Sequence, residues 1–237
     1  MRYNRDQNRR MQTSRGLPST MVGMPVAAVW PFDLCRSQKR GTTRMDNLVA
    51  TIRAKSGSRL VSCDADGLRS RLGYDVVSMR ASGYDPSVIE EHEAFNERLE
   101  RFLAHPQFGR YLAALTPTEV FGASGVRVLP LAAIREEIQE LAPGARLFPH
   151  GYMPFATSIG GNAICFHAPT GQVVWADHDS FGADDITYKD RDTGDYRTVP
   201  FTPEHIAEAV VPLADDFHAF LADLVHDRLK IRLDELD

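Results

Sequence analysis

The sequence predicts an α+β fold in which a central, largely antiparallel sheet is flanked by helices, and two observations lead there. The first is a pair of apolar strands, Ala163 to His167 and Gln172 to Asp177, joined by the turn Ala168-Pro169-Thr170-Gly171. Alternation puts Ile164, Phe166, Val173 and Trp175 on one face of this hairpin and Ala163, Cys165, Val174 and Ala176 on the other. A hairpin apolar on both faces belongs inside a sheet covered on each side, with helices expected over the face of small residues. The second observation is apolar residues at helical spacing on either side of the hairpin. Val88, His92, Phe95, Leu99 and Phe102 precede it, and Phe217, Phe220, Leu221, Leu224 and Val225 follow it.

Residues 1–44 carry nine Arg or Lys against Asp6 and Asp33 and show no repeating apolar face. They bury too little surface to offset the entropy of ordering, so they read as a disordered basic segment, or as an extension upstream of a true start at Met45. The mildly apolar Met21 to Phe32 follows Arg9 and Arg10, but Pro25 and Pro31 interrupt it and no small-residue cleavage site follows, so it is not read as a secretory signal. One folded domain is expected over residues 45–237.

Within that domain Leu48, Val49 and Ile52 suggest a short helix, followed by loops around short strands near Leu60 to Cys63 and Val76 to Met79. Asp85 as cap and Pro86 at the first helical position start a helix that ends near His105-Pro106. On that stripe His92 reads as a packed residue, with no second metal-ligand type one turn away. Phe108, Tyr111, Leu112 and Leu115 form a second amphipathic piece reaching Thr116-Pro117. Gly122 and Gly125 frame a loop, and Val126 to Leu129 is a strand. Pro130 then opens a helix with Leu131, Ile134, Ile138 and Leu141 on one face, ended by Pro143-Gly144. Phe155 to Ser158 is a short strand before Gly160-Gly161, a backbone turn that a side chain would strain. Beyond the central hairpin lies a polar one, Ile186 to Lys189 and Tyr196 to Val199, around the turn Asp190 to Asp195. Thr202-Pro203-Glu204 starts a helix, and the closing helix begins near Ala214.

Charge narrows the partners. The net charge of -5 divides into +7 for residues 1–44 and -12 for the remainder. An acidic body repels nucleic-acid phosphates and favours basic partners. No run of about 18 apolar residues exists to span a membrane. Cys35, Cys63 and Cys165 are scattered and form no C-x-x-C pair, which fits a reducing cytoplasm rather than a disulfide framework or a zinc knuckle.

Catalytic patterns are weak. Ser124 and Ser158 lack the G-x-S-x-G elbow, Cys165 lies in an apolar strand, and no Lys follows Gly160-Gly161 to make a phosphate loop. Asp177-His178-Asp179, with His167 nearby, offers metal-ligand types, so the alternative is a small metal-dependent hydrolase. In an extended strand, however, Asp177 and Asp179 point away from His178, and the three converge only if the chain turns there. The candidate binding surface is the acidic run Asp177, Asp179, Asp184, Asp185, Asp190, Asp192 and Asp195, set against Lys189 and Arg191. Such a run suits a basic protein surface and would steer its approach.

Taken together, several motifs resemble the SUKH superfamily over about residues 126–225. They are a strand feeding VLPL and a helix, then LFPHGYMPFATSIGGNAICFHAPTGQVVWADHD, then PLADDFHAFLADLV. The chain lacks the Leu-Pro-x-x-Tyr-like step usual before the first strand. The resemblance implies a sheet flanked by helices, with Gly160, Gly161, Gly171 and Trp175 as its structural motif, and a function of binding another protein. Bacterial members commonly neutralise a cognate protein toxin, of which a basic nuclease would be one kind, by occupying it in the producing cell. No cofactor, nucleic acid or membrane partner is implied.

Overall fold

Hydrophobic alternation sets the middle of the molecule. The computed structural model describes residues 46–54, 60–114, 116–190 and 192–236. The basic extension 1–44 and Leu115 lie outside them. Strands β6 (Ala163–His167) and β7 (Val173–Ala176) pair antiparallel, with Ile164 opposite Trp175 and Phe166 opposite Val173. Their partners complete a six-stranded antiparallel sheet in the order β10 (Val211–Ala214), β7, β6, β5 (Tyr152–Ser158), β4 (Val126–Val128), β3 (Phe121–Ala123). The chain is therefore α+β, with helices flanking an antiparallel sheet.

The two faces of the hairpin enter two separate cores. Ile164, Phe166, Val173 and Trp175 join the larger one, beneath helices α2 (Ala65–Leu72), α4 (Pro86–Leu103), α5 (Phe108–Ala114), α6 (Leu131–Gln139), α9 (Phe217–Val225) and α10 (Leu229–Asp234). Aromatic rings fill its centre: Phe166 stacks on Phe108 at 4.5 Å and meets Phe217 edge-on at 5.7 Å. Ala163, Cys165, Val174 and Ala176 join the smaller core. Helices were expected over this face, and short ones do contribute Leu147 from α7 (Gly144–Leu147) and Ile206 and Ala209 from α8 (Pro203–Ala209). The rest of the cover is the second hairpin, β8 (Asp185–Lys189) and β9 (Tyr196–Pro200), which lays Ile186 and Tyr188 on the small residues. Alternating polar and apolar residues on β8 make this possible, because one face of an outwardly polar strand can still be buried.

Elsewhere local chemistry redraws several elements. Val76 to Met79 is helical, in α3 (Val76–Ala81), because the Asp75 carboxylate accepts the Ser78 N–H at 3.0 Å. Asp64 caps α2 in the same way, accepting from Gly67 N–H at 2.7 Å. The loop expected around Gly122 is strand β3, joined to β4 by a two-residue turn in which both Ser124 (φ 52°) and Gly125 (φ 77°) are left-handed. Leu141 lies beyond the end of α6 and is exposed. The short helix over residues 46–54 (α1), with Val49 and Ile52 in the core, agrees with the sequence, as does a short strand β1 (Leu60–Val61); its antiparallel partner is β2 (Thr116–Pro117), where the sequence showed only a break. Before the closing helix the chain adds β10, and after it α10, whose Arg232 donates to the carbonyls of Leu213 (2.5 Å) and Pro212 (3.0 Å) on that edge strand.

Candidate functional site

The site is built where β7 leaves the sheet. The strand ends at Ala176 and the chain turns over residues 178–180, with the Asp177 carboxylate accepting the Asp179 N–H at 3.0 Å and the Asp177 carbonyl accepting the Ser180 N–H at 3.2 Å. This turn overturns the expected divergence of the triad: ligand atoms of Asp177, His178 and Asp179 all lie within 4.8 Å of one another. Strand alternation separates side chains only while the strand lasts.

Asn162 orients the imidazole. Gly161, at φ 95°, lets the chain reverse between β5 and β6 and sets Asn162 inward, buried, beside the turn. Its Oδ1 accepts the backbone N–H of His178 at 3.0 Å and lies 2.8 Å from His178 Nδ1. A backbone N–H can only donate, so the shared atom is an oxygen, and Nδ1 must be the protonated nitrogen. That leaves Nε2 facing Asp179, 3.4 Å from its Oδ1. A histidine whose second nitrogen is held by an amide oxygen is how metal-binding imidazoles are commonly presented, and carboxylates with imidazole suit Zn²⁺ or Mn²⁺.

Beside the triad lies an open groove of about 670 Å³ between the second hairpin, β10 and the chain's C-terminal end. Among the described residues, Asp177, Asp179, Glu208 and Glu235 line it against one cation, Lys189, while Trp175, Tyr188 and Tyr196 supply aromatic wall. Tyr188 donates to Glu208 at 2.6 Å, and this bond to a carboxylate, ahead of burial, holds the phenol above its ordinary range.

Folding divides the seven predicted aspartates into three groups. Asp177 and Asp179 face the groove. Asp184 and Asp185 sit where β8 begins, away from the Lys189 end that borders it. Asp190, Asp192 and Asp195 occupy the hairpin tip, and there Asp190 serves its own turn. Its carboxylate accepts from Asp192 and Thr193 N–H groups, which hold its pKa below the usual carboxylate range, and pairs with Arg197 at 2.8 Å. Only about an eighth of its side chain, 12%, is exposed. Gly171 takes a left-handed φ of 76° in the β6–β7 turn, and Trp175, expected as a fold marker, also reaches the groove. Burial pushes the Cys165 thiol well above its ordinary pKa, and His92 stacks on Tyr74 at 3.7 Å.

Asn162, Glu208 and Glu235 escaped the sequence reading. Asn162 follows the Gly-Gly step and carried a local signal; the two glutamates lie on distant elements and carried none. A comparison with protein-family models gives no match, and comparisons with curated proteins and with solved structures give no significant one.

Proposed function

We propose that the chain is a non-enzymatic protein-binding module, an immunity protein of the SUKH kind that occupies a cognate bacterial toxin in the cytoplasm of the producing cell. The groove carries this proposal: four carboxylates against one lysine, with Trp175, Tyr188 and Tyr196 in its walls. Rigid aromatic groups are the usual anchors of protein interfaces, and clustered carboxylates speed the approach of a basic surface such as a nuclease's substrate cleft. The motif order over residues 126–225 supports the same choice.

Co-expression with a toxin encoded beside the gene tests the function. Growth should be restored, and a failure to protect would remove the immunity assignment. Charge reversal at the exposed groove residues, Asp179→Lys with Glu235→Lys, should slow association by about tenfold or more and flatten its salt dependence. Asp184→Lys with Asp185→Lys, at the other end of β8, should act less; an unchanged on-rate in both variants would move the interface elsewhere.

One observation favours a second proposal, a small metal-dependent hydrolase. Convergence of the Asp177, His178 and Asp179 ligand atoms, with Nε2 turned outward by Asn162, supplies three donors on one side and leaves room for water opposite. Saturable Zn²⁺ or Mn²⁺ binding that His178→Ala abolishes, together with metal-dependent ester hydrolysis, would replace the first proposal with this one.

A further inference from the structure

At the opposite end of the β6–β7 hairpin, we propose, the chain carries a second and separate binding site, for a carboxylate attached to a single apolar group. A cavity of about 220 Å³ opens there, lined by Arg98, Arg101, Phe102, Phe148, Ala168 and Pro169 among others. Its floor is aromatic: Phe102 and Phe148 are buried and stacked at 5.4 Å. Among the described residues its only charges are the two arginines, placed three residues apart on α4 and therefore on one face of the helix.

Neither arginine has a hydrogen-bond or ion-pair partner among the described residues. Most other arginines behave differently. Arg69, Arg80, Arg110, Arg197 and Arg228 each pair with a carboxylate, and Arg146 and Arg232 donate to backbone carbonyls. In a body of charge -12 over residues 45–237, these two cations form no ion pair among the described residues, even with Glu97 one turn before Arg101. Like charges one turn apart repel, and an anion bound between them reverses that cost.

The ligand class follows from the two halves of the cavity. Guanidinium groups bind carboxylates through paired N–H donors, and an apolar tail packs against Pro149, Ala168 and Pro169, the accessible apolar lining above the buried phenylalanines. A volume below the roughly 300–1,000 Å³ of drug-sized sites restricts the tail to one ring or one branched chain. His150, next to the cavity wall, is held below the ordinary imidazole range by burial and then by the charge of Arg98, so it adds no competing cation at neutral pH. This site is independent of the groove and of the function proposed for it.

Titration of the ¹⁵N-labelled full chain with phenylacetate, phenylacetamide and acetate tests the assignment. Phenylacetate should shift the amides of Arg98, Arg101, Gly151 and Ala168, with phenylacetamide and acetate each binding at least about tenfold more weakly. Arg98→Gln combined with Arg101→Gln should weaken phenylacetate by a similar factor without altering the far-UV circular dichroism. Unmoved amides, or equal binding of phenylacetamide, would overturn the proposal. The three compounds are compared on the unaltered chain, so that outcome does not depend on the variant folding.

Discussion

At its open end the β6–β7 hairpin presents four carboxylates around a groove of about 670 Å³, and at its turn end two arginines over a cavity of about 220 Å³. The four residue steps of β6 put about 13 Å of strand between them. That exceeds the screening length of about 8 Å at physiological ionic strength, so the exposed charges at one end scarcely register at the other. One short hairpin can therefore offer two surfaces of opposite sign. The ends also differ in their titratable groups. The acidic end keeps exposed carboxylates such as Asp179, whereas the turn end holds His105, His150 and His167, each lowered from the ordinary imidazole pKa chiefly by burial.

The strongest way to break the contrast is to remove what both ends share. Phe166→Ala deletes a ring packed on Phe108 and Phe217 and should cost about 3–5 kcal/mol by urea denaturation, disturbing both surfaces together. Gly151→Ala should act on the turn end alone. Gly151 has φ 88° and an added Cβ would lie 3.0 Å from Pro169 Cδ, so a loss of about 1–3 kcal/mol is expected, with amide shifts confined to the small cavity. Movement of the Asp179 or Tyr196 amides in that variant would show the ends to be coupled. Asn162→Ala is the counterpart at the acidic end. It should cost about 1–2 kcal/mol and release the His178 ring, seen as a mixed tautomer in long-range ¹⁵N–¹H spectra where the unaltered chain shows protonated Nδ1.

The smallest effect is the pH response of the turn end. With folded pKa values below 6.5 at His105, His150 and His167, the unfolded chain binds more protons once the pH falls below about 6.5. Stability should therefore decline on acidification through that window, well before the lowered carboxylates of Asp75, Asp85 and Asp190 respond near pH 4. Half-buried Glu137 works in the other direction, since desolvation raises its pKa and makes the fold gain protons first. A melting temperature unchanged between pH 7.5 and 5.5 would contradict the contribution of the three imidazoles.

Features governed by near neighbours were legible in the sequence. The two faces of the hairpin, the Asp85-Pro86 start of α4 and the Thr202 start of α8 all follow from residues within a few positions. Asp64 and Asp75 carried equally local cap signals, which short helices flanked by loops obscured. Strand β3 was hidden because its turn places a serine, not a glycine, at positive φ. The candidate sites were less legible still. Glu208 and Glu235 reach the groove from α8 and the C-terminal end, while Arg98 and Phe148 meet across fifty positions of chain. No periodicity encodes those meetings; they exist only after the sheet and helices have packed.

The guanidinium of Arg232 has a bearing on how copies of this protein can associate. β10 is the last strand of the sheet, and the acceptors of Pro212 and Leu213 are already engaged by α10, while Pro212 has no N–H to offer. A foreign strand therefore finds poor purchase along that border. Proteolytic trimming or a fusion that displaces α10 would expose the same carbonyls, turning a guarded margin into a template for intermolecular sheet growth.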